Sequence, residues 1–320
     1  MLSAYLPTAQ GLERQEVHGE PPAAALWLDL LEPTAQEEHG LERALRIEVP
    51  TRDEMRAIET SNRLYEDGGW LYLTATVLYR ADTDHPETTQ VTFILGEGRL
   101  VTSRYAALRS FSDFSAYAAT HPTACGSAAQ LLVGLLNAIV NRLADGLERV
   151  GTEIDALSLQ VFPRGRAARK RDYQRELQQI GGNGDVVSRA RESLVSLARL
   201  LAFLQESADA RITPEVRASL RTVTRDVSAL SDHATFLVGK AQFLLDATLG
   251  LVTIDQNNIL KIFSVVAVLL LPASVIVGFF GMNFAHMPWL HEPWGVWAAV
   301  GLMLVTSLGP YVYFKRKGWL

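Results

Sequence analysis

The chain has 320 residues and a mass of 35.3 kDa, room for two ordinary domains or for one domain and something else. With 30 Lys and Arg against 35 Asp and Glu, the net charge of −5 excludes a general nucleic-acid binder, which would carry a basic footprint. A single cysteine, Cys125, excludes a disulfide framework and a cysteine-rich zinc module, and 20% charged residues with ordinary Gly and Pro exclude a mostly disordered chain.

The opening MLSAYLPTAQGLERQE has neither a basic start nor an apolar core, so no cleavable signal is expected there. Residues 24–30 (AALWLDL), 71–80 (LYLTATVLYR) and 91–95 (VTFIL) are rich in β-branched and aromatic side chains and predict strands. The GEG at 96–98, followed by RLVTSRY, predicts a hairpin turn and a return strand. Residues 34–46 and 51–61 predict helices, because Thr34 with Glu37 and Thr51 with Glu54 form Thr-x-x-Glu capping boxes. Together these give a small α/β domain over residues 1–122.

From Ser127 the pattern turns helical. Residues 128–162 and 167–205 carry apolar side chains at three- and four-residue spacing, separated by Pro163-Arg164-Gly165. Gly181-Gly182-Asn183-Gly184 predicts a bend in the second. The basic run at 164–175 is followed closely by acidic residues and reads as a solvated helix face rather than a lipid or nucleic-acid patch. Pro214 opens a third helix with no clear stop before Phe280. Its 67 residues would extend about 100 Å, a stalk leading into whatever follows.

A mean hydropathy of +0.09 hides two charge-free runs, IFSVVAVLLLPASVIVGFF at 262–280 and GVWAAVGLMLVTSLGPYVYF at 295–314. Each matches a hydrocarbon core of about 30 Å. Lys261 precedes the first run, Lys315, Arg316 and Lys317 follow the second, and the connecting residues contain no Lys or Arg. The positive-inside bias therefore predicts both termini in the cytoplasm. Trp289, Trp294 and Trp297 lie near the outer boundary and Tyr311, Tyr313 and Trp319 near the inner one, as interfacial aromatics do. The expected organisation is a cytoplasmic α/β domain (1–122), a cytoplasmic helical domain with the stalk (123–261), a first span (262–280), an extracytoplasmic loop (281–294), a second span (295–314) and a basic cytoplasmic tail (315–320). Cys125 should be a free thiol in the cytoplasm.

At the outer end of the first span stand Gly281, Met282 and Asn283. A glycine ends the helix and frees carbonyls, and an asparagine adds a neutral amide oxygen. Neutral oxygens can grip the water shell of Mg²⁺, an ion that dehydrates reluctantly. Alone, such a tripeptide is a common turn. The surroundings are specific: QNNILKIFSVV at 256–266, Pro272, FGMNFAHMP at 280–288 and GPYVYFKRKGWL at 309–320. With WLDL at 27–30, EPT at 32–34 and PTRDEM at 50–55, the chain resembles the bacterial branch of the CorA-type divalent-cation channels, the two-transmembrane GxN family, over essentially its whole length. Where that family often has an acidic residue after the Phe, this sequence has Phe284-Ala285-His286.

The resemblance implies an inner-membrane, funnel-shaped homopentamer and no enzyme: Mg²⁺ is the transported ion and regulatory ligand, Co²⁺ and Ni²⁺ also pass, and no organic cofactor is involved. Two helices cannot enclose an aqueous path alone, which agrees. Asn257, Ser264, Leu271 and Gly278, interleaved with Leu260, Ala267 and Ser274, share one helical stripe. With the resemblance this stripe reads as the pore wall, with Leu260 and Leu271 as hydrophobic constrictions and Asn257 as an inner polar ring. On the residues alone it would serve equally as a helix-packing seam. Gly281, Met282 and Asn283 are then the selectivity filter, with Asn283 meeting the ion. The family's internal Mg²⁺ sensor is acidic, and its candidates here are Asp226, Asp232, Asp246 and Asp255 on the stalk, with Asp82 or Asp84 in the α/β domain.

The alternatives are a zinc transporter on the same scaffold and a membrane-anchored cytoplasmic protein. His286 and His291 could favour Zn²⁺, Co²⁺ or Ni²⁺, but their spacing fits no tight ligand pair. Zinc-transporting relatives usually differ at the middle residue of the tripeptide, so Met282 leans towards magnesium. The soluble part has no Gly-rich phosphate loop, Gly-x-Ser-x-Gly or HExxH to support an anchored enzyme.

Overall fold

Seven strands form one mixed sheet in the order β2-β1-β3-β7-β6-β5-β4. They are β1 (Leu2–Thr8), β2 (Gly11–Val17), β3 (Trp27–Leu31), β4 (Leu64–Asp67), β5 (Trp70–Tyr79), β6 (Glu87–Gly96) and β7 (Arg99–Arg104). Every neighbouring pair is antiparallel except β3 with β7, where Asp29 stands opposite Thr102. The computed structural model describes residues 1–57, 59–83, 86–163, 172–207, 212–282, 288–289 and 292–318. These fall into two units, Met1–Leu245 and Asp246–Leu320.

The central strands follow from their sequence. The β5 segment WLYLTATVLY is buried at all but its last residue, as befits a β-branched and aromatic run covered on both faces. In the β6–β7 hairpin, Glu97 (φ 47°) and Gly98 (φ 74°) both lie in the left-handed region that a tight two-residue turn requires. Gly96 is required for another reason: a Cβ there would sit 2.5 Å from the Trp70 indole. The ribbon of β1 and β2 has no counterpart among the expected strands. β2 exposes Glu13, Arg14, Gln15 and Glu16 in succession, a polar edge-strand composition without alternation.

Both capping boxes form. α1 (Ala35–Leu45) begins at Thr34, whose hydroxyl accepts from the Glu37 amide while the Glu37 carboxylate accepts from the Thr34 amide. α2 begins in the same way at Thr51 and Glu54 but spans only Arg52–Met55, not the expected 51–61. It buries Met55 alone, and a short 3-10 turn follows at Thr60–Asn62.

Helices α3 (Arg109–Ala118), α4 (Ala128–Val161) and α5 (Tyr173–Ser207) complete the first unit with the leading part of α6 (Pro214–Phe280). α5 is described from Tyr173, the expected start at 167 lying outside the described residues, and it runs as one helix through Gly181, Gly182 and Gly184. Most of the basic run, at 164–171, lies outside the described residues. α6 is one 67-residue helix, as its lack of stop signals implies. Val216, Leu220, Val223, Val227, Ala234, Leu237, Ala241, Leu244 and Thr248 are buried along it at three-, four- and seven-residue steps, a heptad seam. Within the first unit Lys240 pairs with Asp155 of α4, and Gln205 of α5 donates to Thr224 at 2.8 Å. The sole cysteine, Cys125, is buried, its thiol directed at the carbonyls of Ala118 and His121. Burial pushes that thiol's pKa up.

A polar junction sits where the sheet changes direction. Asp29 on β3 and Arg104 on β7 are 3% and 8% exposed, buried enough that neither charge could stand alone. Two parallel bonds join them, Arg104 Nη2 to Asp29 Oδ2 at 2.7 Å and Nε to Oδ1 at 3.1 Å. Thr102 donates to the same carboxylate at 2.6 Å and accepts from the Trp27 indole N–H at 3.0 Å. Trp27 stacks on Tyr5, and the guanidinium lies over Phe111 at 4.5 Å. The junction thus ties β1, β3, β7 and α3 together.

Two consequences can be measured by denaturation of the full chain in detergent. Asp29→Ala leaves Arg104 buried and unpaired, and should cost about 3–5 kcal/mol; Asp29→Leu with Arg104→Met should recover most of that loss. Glu54 is held below the ordinary carboxylate range by the Thr51 amide and then by the Thr51 hydroxyl. Its contribution is therefore present above the unfolded value of about 4.3 and fades as pH falls through the lower folded value. The stability gap between wild type and Glu54→Ala should accordingly shrink below that pH, whereas a constant gap would show that the cap does not titrate.

Candidate functional site

The second unit is built from residues 246–280 of α6 and from α7 (Gly295–Arg316). Two windows within these helices have mean hydropathies of 2.6 and 1.5, yet only 6% and 11% of their residues are buried. Side chains such as Ile262, Phe263, Leu271, Val275 and Trp297 are more than 60% exposed. A soluble core would not leave such a surface uncovered; lipid or further copies of the chain must cover it.

What little packing exists has a direction. On α6 the less exposed residues include Val265, Leu269, Pro272, Ala273 and Ile276, and on α7 they include Gly295, Ala299, Met303, Thr306, Ser307 and Pro310. Small residues on the α7 side let the backbones approach, the usual basis of helix pairing in membranes. A bond crosses between the helices: Ser307 donates to the Leu269 carbonyl at 3.0 Å. Pro272 lacks an N–H, so the α6 ladder is already one donor short at Val268, and an outside hydroxyl one residue along supports the same turn.

The stripe proposed from sequence lies on the other side. At about 100° per residue, Asn257, Leu260, Ser264, Ala267, Leu271, Ser274 and Gly278 centre roughly opposite the Val265–Leu269–Ile276 seam. All seven are exposed. Ser264 donates to the Leu260 carbonyl at 2.8 Å and Ser274 to the Leu270 carbonyl at 3.0 Å. Their hydroxyl protons are thereby consumed within the helix, and only oxygen lone pairs face outward. The stripe therefore presents acceptors without charge, suited to the hydrogens of a cation's water shell.

At its C-terminal end α6 tightens: the Gly281 amide donates to Val277 at 2.9 Å and the Met282 amide to Phe279 at 3.3 Å. Met282 is 47% exposed. Asn283, with Phe284, Ala285, His286 and Met287, lies outside the described residues, as do His291 and Trp319. Beyond the gap, Trp289 stands 6.1 Å from Phe280 and 5.8 Å from Trp294, an aromatic cluster within the segment between the spans. Sequence reading passed over Glu292, the sole carboxylate among residues 281–294, which is exposed. Its signal was available in a segment otherwise free of charge.

The sensor candidates are not brought together. Asp226, Asp232, Asp246 and Asp255 are all exposed, and at 1.5 Å per residue successive ones lie roughly 9, 21 and 14 Å apart along α6. Among the described residues no group of three or more His, Cys, Asp or Glu side chains is placed to hold a metal. Asp82 is committed elsewhere: Arg142 and Arg149 meet its two oxygens at 2.5 and 2.7 Å, with Arg109 at 3.5 Å. A cation at Asp82 would have to displace three guanidiniums, and Asp84 lies outside the described residues.

A family model described as CorA-like Mg²⁺ transporter protein matches residues 22–316. The chain is 34% identical over 321 residues to the magnesium transport protein CorA of Yersinia pseudotuberculosis serotype I, with 100% of both chains covered. It is 33% identical over the same length, again with 100% of both covered, to the magnesium transport protein CorA of Escherichia coli strain K12. The chain belongs to the CorA-like Mg²⁺ transporter family. The complete CorA magnesium transporter of Methanocaldococcus jannaschii shares the fold, with a TM-score of 0.77 at 19% identity over 100% of this chain and 99% of that one. As a CorA-like protein it is a membrane transport protein rather than an enzyme, and the exposed apolar faces of α6 and α7 are what that class requires.

The interhelical bond gives a test. Ser307→Ala should lower the stability of the helix pair by about 0.6–2 kcal/mol, read as a fall in thermal midpoint in detergent, while Ser307→Thr should keep most of it. No change in either would mean that the Leu269 carbonyl needs no outside donor.

Proposed function

We propose that the protein is a homopentameric Mg²⁺ channel of the inner membrane, with both termini in the cytoplasm and α6 lining the pore. The observation that carries this reading is the stripe: seven exposed, uncharged positions on the side of α6 turned away from α7. A second copy can close a packing seam, but only a ring of copies turns such a stripe into a wall around water. The relatives' printed name, magnesium transport protein, supports Mg²⁺ as the ion.

In this reading the functional divisions are 1–122, 123–261, 262–280, 281–294, 295–314 and 315–320, with Lys261 and the Lys315–Arg316–Lys317 cluster holding the inner side. Gly281, Met282 and Asn283 form the outer selectivity ring, where the Asn283 amide oxygens accept from the waters of the hydrated ion. Glu292 raises cation concentration at the mouth, a part left unfilled after Phe284, where family members often carry an acid and this chain has Ala285-His286. The back-bonded Ser264 and Ser274 continue the acceptor lining, and Asn257 forms the inner polar ring. Leu260 and Leu271 are the constrictions, each narrow enough in a ring to shed water. Co²⁺ and Ni²⁺, with similar hydrates, pass as well.

Closure at high internal Mg²⁺ follows if Asp226, Asp232, Asp246 or Asp255 meets a carboxylate of a neighbouring copy. Among the described residues these carboxylates form no group of three that could hold a metal, which supports a regulatory ion shared between copies. Weak oxygen-only ligation of this kind suits a millimolar sensor.

Flux into proteoliposomes tests the assignment. Wild type should admit Mg²⁺, Asn283→Ala should lose most uptake, and Leu260→Gly or Leu271→Gly should leak when internal Mg²⁺ is high. Equal Mg²⁺ uptake by wild type and Asn283→Ala would remove the filter assignment. Zn²⁺ uptake without Mg²⁺ entry or competition would reassign the ion.

A further inference from the structure

A cavity of about 490 Å³ lies in the first unit between α5 and the strands it covers, and its lining is strongly basic. Arg56 comes from the end of α2, Arg63 from the residue before β4, and Arg191 and Arg199 from one face of α5. Among the described lining residues Glu192 is the one carboxylate, set against four guanidiniums, of which Arg56 also reaches Asp53 outside the lining. Like charges on three separate segments do not converge without cost. Such an arrangement is kept where an anion repays it.

The pocket is also built rather than incidental. Arg63 Nη2 donates to Thr76 Oγ1 on β5 at 2.7 Å, which fixes the guanidinium against the sheet. Its Nε is buried and has no partner among the described residues. The Thr76 amide donates to Ser196 Oγ at 2.9 Å, locking α5 to the same strand position. Arg191 and Arg199 are exposed and make no ion pair among the described residues, and Arg56 reaches Asp53 only at 3.9 Å with both side chains largely in solvent. On α5 the lining recurs at Ser188, Arg191, Val195 and Arg199, one continuous helical face about 16 Å long. Burial, opposed by Glu192 and reinforced by Arg199, lowers the pKa of Arg63, as expected of a cation awaiting a counter-charge.

We propose that this pocket binds a small, multiply charged phosphate anion of the pyrophosphate or triphosphate type. Arginine forks match phosphate oxygens two at a time, and the Ser188 hydroxyl and Gln90 amide in the lining can complete the shell. Among the described lining residues there is no aromatic ring to stack a base, and the anion itself is what is recognised. One phosphate would leave charge uncompensated; two or three linked phosphates offer oxygens to several of these long side chains at once. The site shares no residue with the α6 stripe, and its test is independent of ion transport.

Calorimetric titration of the full-length protein in detergent, in Mg²⁺-free buffer, with inorganic triphosphate as probe tests this. Saturable binding of one anion per chain is expected, much stronger than for sulfate and weaker at higher salt. Arg199→Gln and Arg191→Gln, both at exposed positions, should each weaken it about tenfold. Glu192→Gln should tighten it, a sign that mere structural damage does not produce. Short-chain phosphatidate should compete poorly; competition equal to that of triphosphate would assign the pocket to a lipid headgroup and overturn the free-anion reading. Absence of saturable binding, or binding unchanged in Arg191→Gln and Arg199→Gln, would also overturn it. Arg142→Gln, outside the pocket, serves as the control and should bind as wild type does.

Discussion

Hydrocarbon offers a backbone no hydrogen-bond partners, and this constraint shapes the two charge-free helical runs at 262–280 and 295–314. A helix satisfies the condition within its own ladder, and the side chains are then free to be apolar almost everywhere. What remains informative are the departures. Pro272 removes a donor from α6, and a hydroxyl from α7 supplies one to the same turn. Ser264 and Ser274 spend their protons on their own helix and keep their lone pairs outward. Each departure adds a polar group without adding a charge that the bilayer would resist.

The first unit meets the opposite problem, keeping charge inside water-soluble structure. The Asp29–Arg104 pair lies at the one parallel junction of an otherwise antiparallel sheet, with every polar atom of the carboxylate engaged. Around Asp82 three arginines gather on a single acid at the surface. In the pocket under α5 four arginines face one acid. The three clusters form a series of decreasing compensation, from fully paired to strongly unbalanced, and only the last invites a ligand. A net charge of −5 conceals this, because a sum over the chain does not register where the arginines converge.

Much of this was legible in the sequence where a local rule had no competitor. Thr34 and Thr51 cap their helices because the hydroxyl and the following glutamate need nothing but each other. The uninterrupted run from Pro214 to Phe280 is one helix because no residue in it supplies a stop, and Pro272 sits where neighbouring groups tolerate it. Other features depend on partners far away in the chain. β1 and β2 are strands because β3 offers an edge, not because Glu13 to Glu16 favour extension. The short α2 stops because only Met55 finds a core. The pocket arginines are spread over positions 56 to 199, and no local pattern announces that Arg63 and Arg199 are neighbours. Asn283, the residue the motif singles out, is supported by the family's signature and by the glycine turn that precedes it.

Cys125 carries a practical consequence. It is the chain's only sulfhydryl, it is enclosed, and burial keeps it protonated. Thiolate-seeking reagents should therefore find almost nothing to modify in the native protein. The natural sequence is already a quiet background for site-directed labelling, in which one engineered cysteine at any position along the α6 stripe would report its own access to water without competition from the rest of the chain.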